Sequence, residues 1–189
     1  MTGVVIFSSL PQMSLSGKRI VLLTAADFEE SEVIYPLYRL KEEGSEVIIS
    51  GVGQKQNIMK GKNGVKLSLE QPVNHLDFDT VHAVVIPGGY APDSLRSNER
   101  VQALVHHVHS RGGVVAAICH GPWVLVSADL IKGHQCTSFH TIKDDLVNAG
   151  GLWEDSAVVV SNRIVTSRCP DDLPDFCKAI IAQVSRLNF

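Results

Sequence analysis

Val114-Val115-Ala116-Ala117-Ile118-Cys119-His120-Gly121-Pro122 is the stretch whose reading decides the fold. Five apolar residues follow Gly112-Gly113 without a polar interruption, the pattern of a short strand covered on both faces, because a strand with one wet face alternates. The run meets Cys119, and Gly121-Pro122 then open a helix that extends to about Leu130 and closes at Lys132-Gly133. Small residues suit a tight strand-to-helix turn, and proline suits the first helical turn, where its missing N–H costs nothing.

Outward from that stretch, strand and helix signals alternate. Towards the N-terminus lie a buried strand at 18–24, a helix from Glu30 to Glu43 with Val33, Ile34, Leu37 and Leu40 at helical spacing, and a strand at 46–50. Pro36 is expected to kink the helix. Residues 51–64 read as a loop or hairpin near the sheet edge, and 81–86 as another buried strand stopped by Pro87-Gly88-Gly89. A helix from about Asn98 to Ser110 precedes the central stretch. Beyond it come a strand near 136–139, a helix at about 142–149, strands at 157–160 and 164–167, and a last helix from about Leu173 to Leu187. This alternation predicts a single α/β domain over 18–189, a mainly parallel sheet with helices on both faces, with residues 1–17 as an N-terminal extension.

Composition narrows the function classes. The chain has 189 residues, 44% hydrophobic and 20% charged, enough for one substantial core and too short for two ordinary ones. A formal net charge of -3 with dispersed Lys and Arg argues against a nucleic-acid partner. The longest apolar runs fall far short of the roughly 20 residues a membrane helix needs, and no basic leader precedes Val4-Val5-Ile6-Phe7, so neither membrane nor export is expected. Four cysteines without CxxC spacing fit reduced thiols in a cytoplasm. No GxGxxG or GxxxxGK[ST] pattern is present, and His106, His107 and His109 lack a third ligand nearby, so cofactor and metal are both expected to be absent. Cys136, Cys169 and Cys177 read as core or loop thiols, Trp123 and Trp153 as packing residues, and Arg168 as a structural ion-pair member.

Cys119 carries the chemistry. On such a turn its thiol faces unpaired helix amides that favour the thiolate, which predicts a lowered pKa and a nucleophile. An isolated cysteine would more often be a core residue; the strand, turn and helix together favour reactivity. His120 can serve as base only where the turn swings its ring beside the sulfur, with a third group orienting it.

Ala117-Ile118-Cys119-His120-Gly121-Pro122, with Pro87-Gly88-Gly89, Asp27-Phe28-Glu29, Lys143-Asp144-Asp145 and the run from Thr166 to Leu173, resembles the PfpI (intracellular protease) family of the superfamily that includes DJ-one and ThiJ. The resemblance covers nearly all of the chain from Lys18. It implies a flavodoxin-like three-layer α/β/α sandwich of the class I glutamine amidotransferase-like kind, with the site at the carboxyl ends of the strands. It also implies that Glu29 lies against the Cys119 sulfur and shares a proton with it, although Glu29 alone reads as an ordinary acidic residue at a helix start. The amides of Gly89 and His120 would form an oxyanion hole, where Gly88-Gly89 could equally be a plain tight turn. Gly88 and His140 would line the substrate site, His140 as a second titrating group or as polar lining.

In family members built as hexamers of dimers, a neighbouring subunit's glutamate completes a Cys-His-acid triad. The matching position is Asp93, one methylene shorter, and otherwise a turn aspartate after Pro92. The resemblance implies a cofactor-independent cysteine enzyme, a homodimer or hexamer of dimers, acting on small reactive carbonyls: methylglyoxal or glyoxal to hydroxy acid, or early glycation adducts. A peptidase acting on peptides is the second reading, and a redox-sensing stress chaperone the third.

Overall fold

A computed structural model describes residues 14–52 and 58–189. In chain order, β1 (Arg19–Thr24) leads into α1 (Glu30–Glu42) and β2 (Glu46–Gly51). β3 (Ile58–Lys60), β4 (Lys66–Ser68) and β5 (Gln71–Pro72) follow, then β6 (Ala83–Ile86), α2 (Ala91–Arg96), α3 (Glu99–Ser110) and β7 (Val114–Ile118). The last third holds α4 (Pro122–Ser127), β8 (Gln135–Cys136), α5 (Lys143–Asn148), β9 (Leu152–Trp153), β10 (Val158–Ser161), β11 (Ile164–Ser167) and α6 (Leu173–Val184).

Seven strands form one sheet in the order β10-β11-β7-β6-β1-β2-β5, parallel throughout except for the β10–β11 hairpin. Every residue of β6 and β7 is buried, as their unbroken apolar runs require, because helices cover both faces: α1 packs beside α6, and α4 packs beside α2, α3 and α5. This is the expected flavodoxin-like α/β/α sandwich. The chain leaves β1 for β2 on one side and returns to β6 on the other, so the switch point lies between β1 and β6. Loops diverge there and leave a crevice at the carboxyl ends of the strands.

α1 continues through Pro36 as one helix. Several expectations need correction. Residues 91–96, assigned no element from the sequence, form α2 with Pro92 in its first turn, a position the ring tolerates, so the alternative of Asp93 as a turn residue gives way to a helical one. The strand expected near 136–139 shortens to β8, which pairs with β9 in a separate two-stranded sheet. The region 51–64, expected as a loop or hairpin, supplies only the first strand and the turn of a hairpin, β3–β4, whose second strand lies beyond it at Lys66–Ser68, also outside the main sheet; residues 53–57 of that region lie outside the described residues. Of the proposed N-terminal extension, residues 1–13 lie outside them too. Leu15 is fully buried in the core, and its amide donates to the Glu43 carbonyl at 2.9 Å, so the packed domain begins before Lys18.

Candidate active site

Cys119 sits one residue beyond β7 with φ 61°, in the left-handed region that is costly for a side chain bearing Cβ. The strain is held from both sides. The Cys119 amide donates to the Ser167 carbonyl at 3.1 Å, and the Cys119 carbonyl accepts from the Phe139 amide at 3.0 Å. A strained, over-determined residue at the end of a central strand is how a fold stations a reactive group.

The loops after β1 and β6 close around the sulfur. Phe28 and Gly89 form an isolated antiparallel bridge, and the Gly88 amide donates to Glu32 Oε2 at 2.6 Å. Gly88 has no room for a side chain: a Cβ there would lie 2.7 Å from Cys119 Cβ and 3.0 Å from its Sγ. The amides of Gly89 and His120 are the nearby donors that favour an anionic sulfur. The His120 ring turns back so that Nδ1 is 3.2 Å from Cys119 Sγ, and its Nε2 lies 3.3 Å from Thr141 Oγ1. Trp123 and Phe139 flank that ring, each with its centroid 5.2 Å away.

Glu32, in the first turn of α1, is fully buried with its carboxyl against Cys119. Burial raises its pKa to about 7, a nearby Glu29 adding to the effect while the Gly88 amide, Cys119 and Lys62 oppose it. Burial, and next the Glu32 charge, push the Cys119 thiol up to about 12, against the Gly89 and His120 amides. The expected lowering of the cysteine pKa is therefore corrected. α4 has only six residues, and its dipole does not outweigh an 8% exposed sulfur beside a carboxylate. Thiol and carboxyl raise each other's pKa, so their titrations are coupled and the thiol keeps its proton while Glu32 titrates near neutrality. Burial, then the charges of His140 and Lys62, hold His120 below the usual histidine range, which leaves its ring neutral near pH 7.

These groups line a cavity of about 300 Å³ together with Glu29, Lys62, Tyr90 and Pro170. The DJ-1/PfpI family model matches residues 18–183. The chain belongs to the DJ-1/PfpI family. It is 41% identical over 155 residues to Deglycase PfpI of Pyrococcus furiosus, spanning 82% of this chain and 92% of that one. It is 38% identical over 160 residues to the Bacillus subtilis protein named "Putative cysteine protease YraA", spanning 85% and 94%. A crystal structure of a two-domain protein from Anabaena variabilis, with DJ-1/ThiJ/PfpI-like and ferritin-like domains, superposes with a TM-score of 0.85 at 38% identity. The match takes in 88% of this chain and 48% of that longer one.

Within this DJ-1/PfpI site, Cys119, His120, Gly88 and Gly89 come together as the sequence suggests. The acid does not: the place against the sulfur assigned to Glu29 is occupied by Glu32. Glu29 has extended backbone one residue ahead of α1, so its carboxylate turns to the pocket wall, where it pairs with Lys62 and accepts from Ser31 Oγ at 3.0 Å. Extending the buried spacing of α1 backwards from Leu40 and Pro36 in steps of four lands on Glu32, the signal that could have found it. His140 lies behind Phe139, ring centroids 4.4 Å apart, and lines a neighbouring cavity with Trp153, Arg168 and Cys169. Asp93 is exposed in the first turn of α2 and does not line the Cys119 cavity. Arg168 is held by Asp172 at 2.9 Å and Asp155 at 2.7 Å, the ion pairing expected of it. Lys62 and Phe139 were missed. Both come from segments distant in sequence that only the fold brings to the sulfur.

Proposed function

We propose that this chain is a cofactor-independent cysteine enzyme that converts small 1,2-dicarbonyls such as methylglyoxal to hydroxy acids, with early glycation adducts as related substrates. The observation that carries the reading is the buried Glu32 carboxyl packed beside the Cys119 thiol at a cavity of about 300 Å³. Such a site suits chemistry in which a proton shuffles on one small bound molecule, and the relatives named deglycases agree with it.

The proposed reaction begins as the Cys119 thiolate adds to the aldehyde carbon, the C–S bond forming as the carbonyl π electrons move to oxygen. The Gly89 and His120 amides stabilise that oxyanion, which takes a proton to give a hemithioacetal. Neutral His120, 3.2 Å from the sulfur, is placed to remove the C1 proton, and return of a proton to C2 yields the thioester of the hydroxy acid. Water then cleaves the thioester, releasing hydroxy acid and regenerating the thiol; no electron acceptor is needed, since C1 is oxidised as C2 is reduced. Glu32 takes the thiol proton during attack, lends it to the C1 oxygen in the hemithioacetal, recovers it as the thioester carbonyl forms, and returns it to the sulfur at release.

Lactate formation from methylglyoxal, and cleavage of a fluorogenic peptide, measured on the wild type and on Cys119→Ala, test the proposal. Cys119-dependent lactate supports it, whereas Cys119-dependent peptide cleavage without lactate replaces it with the peptidase reading. Stress protection that survives Cys119→Ala, with neither turnover, would favour a chaperone. Asp93 would assist His120 only from a second copy. A solution mass equal to one chain under assay conditions removes that role.

A further inference from the structure

We propose that Lys62 is the specificity-determining residue of this pocket: a cation delivered by the β3–β4 hairpin that receives the second oxygen of a dicarbonyl, and later the product carboxylate, while the neighbouring carbon reacts at Cys119. The substrate class rests on the function proposed above; the recognition of an anionic oxygen by Lys62 does not.

The hairpin is built to bring this side chain in from outside the main sheet. The Asp27 amide donates to the Lys60 carbonyl at 2.8 Å and the Lys62 amide to the Phe28 carbonyl at 3.1 Å, which ties the turn to the loop after β1. A second latch lies one residue on. Glu30, 7% exposed, accepts from the Asn63 amide at 2.6 Å and from Asn63 Nδ2 at 2.8 Å. Gly61 permits the approach, because a Cβ there would strike the Glu30 carboxylate. Burial works against the Glu30 charge, yet hydrogen bonds from its own amide and from Asn63 keep the carboxyl below its ordinary range, so the latch is closed at neutral pH.

The latched turn leaves Lys62 as the single cationic side chain among the described residues that line the cavity. Its ammonium pairs with Glu29, but the two partners are not equally placed: the Lys62 side chain is 42% exposed and that of Glu29 14%. Glu29 is also fixed by Ser31. An ammonium has three donors, and one carboxylate oxygen does not satisfy them. Glu29 therefore anchors the cation at the wall while other donors remain available to a ligand. A 1,2-dicarbonyl offers a fitting acceptor, since the oxygen next to the reacting carbon gains negative charge as C1 loses its proton, and the product carries a full carboxylate. A simple aldehyde has neither.

The test uses the full chain and two alkylating probes of similar shape, iodoacetate and iodoacetamide, with Cys119 modification followed by mass spectrometry. The ratio of the two rates cancels changes in thiol reactivity and reports recognition of the carboxylate. Relative to wild type, K62M is expected to lower the iodoacetate-to-iodoacetamide ratio about fivefold, and K62R to restore it, the upper end of the range for a charge pair near a surface. A ratio that changes less than about threefold in K62M overturns the proposal. Methylglyoxal turnover is measured alongside, with a comparable fall in kcat/KM expected for K62M and recovery in K62R. A responsive ratio in a protein whose wild type makes no lactate leaves Lys62 as an anion-recognition residue and removes the dicarbonyl reading. Lactate formed at the wild-type rate by K62M, with an unchanged ratio, removes the role of Lys62 alone.

Discussion

Cys119 and Cys177 are both buried, and burial pushes both thiols up to about 12, yet the regions around them have little else in common. Cys177 lies inside α6 on regular helical backbone, with desolvation the main influence and Arg39 opposing it. Cys119 has left-handed backbone, a carboxyl against its sulfur, two amide donors nearby and an imidazole 3.2 Å away. Burial alone therefore does not distinguish the thiol proposed to react from one that only packs. The difference lies in whether a proton acceptor and anion-stabilising donors were buried with it.

The strongest way to break this comparison is to delete each sulfur in turn. Cys119→Ala is expected to reduce dicarbonyl turnover about a thousandfold or more, and Cys177→Ala to leave kcat within about threefold. Comparable losses in both variants would remove the distinction.

Removing the acid sharpens it next. The Glu32 carboxyl holds its proton more tightly in the folded chain, at about 7 against an ordinary 4.5, so its contribution to stability is full below about pH 4.5 and lost as pH rises through about 7. The span corresponds to about 3 kcal/mol. Glu32→Gln is expected to flatten that slope in denaturant titrations between pH 5 and pH 8 and to be the more stable protein at pH 8, while turnover falls about a hundredfold. An unchanged slope would mean that this carboxyl titrates normally.

A smaller effect comes from the turn itself. Gly88→Ala places a methyl between Glu32 and the sulfur and is expected to cost about 1–3 kcal/mol in unfolding free energy, with loss of activity. The smallest is a shift in pH profile: without the Glu32 charge, the midpoint of Cys119 alkylation by iodoacetamide moves to lower pH in Glu32→Gln, while Cys177 stays unmodified in the folded protein. A midpoint that stays put would exclude electrostatic contact between the two groups.

The sheet was legible because β1, β2, β6 and β7 are buried on both faces, and that burial writes itself into the sequence as unbroken apolar runs. Cys119 was legible for a related reason, since a strand running into Cys-His-Gly-Pro leaves the chain few ways to turn. α2 was not, because Pro92 and Asp93 carry the same signal in a turn and in the first turn of a helix. The acid was misassigned between Glu29 and Glu32, three positions apart, because the residue at which helical backbone begins decides which of them points inward. Nothing local marks Lys62. Its place depends on hydrogen bonds between a hairpin and the loop after β1, contacts that exist only once the sheet has assembled.

The two backbone ties at Cys119 bear on how the chain is synthesised. The amide is held by Ser167 and the carbonyl by Phe139, so the segment that bears the thiol cannot adopt its strained shape until residues far downstream have left the ribosome. A nascent chain thus exposes an ordinary cysteine with unaided reactivity. Its strained setting arrives late, after the surrounding protein exists to confine it.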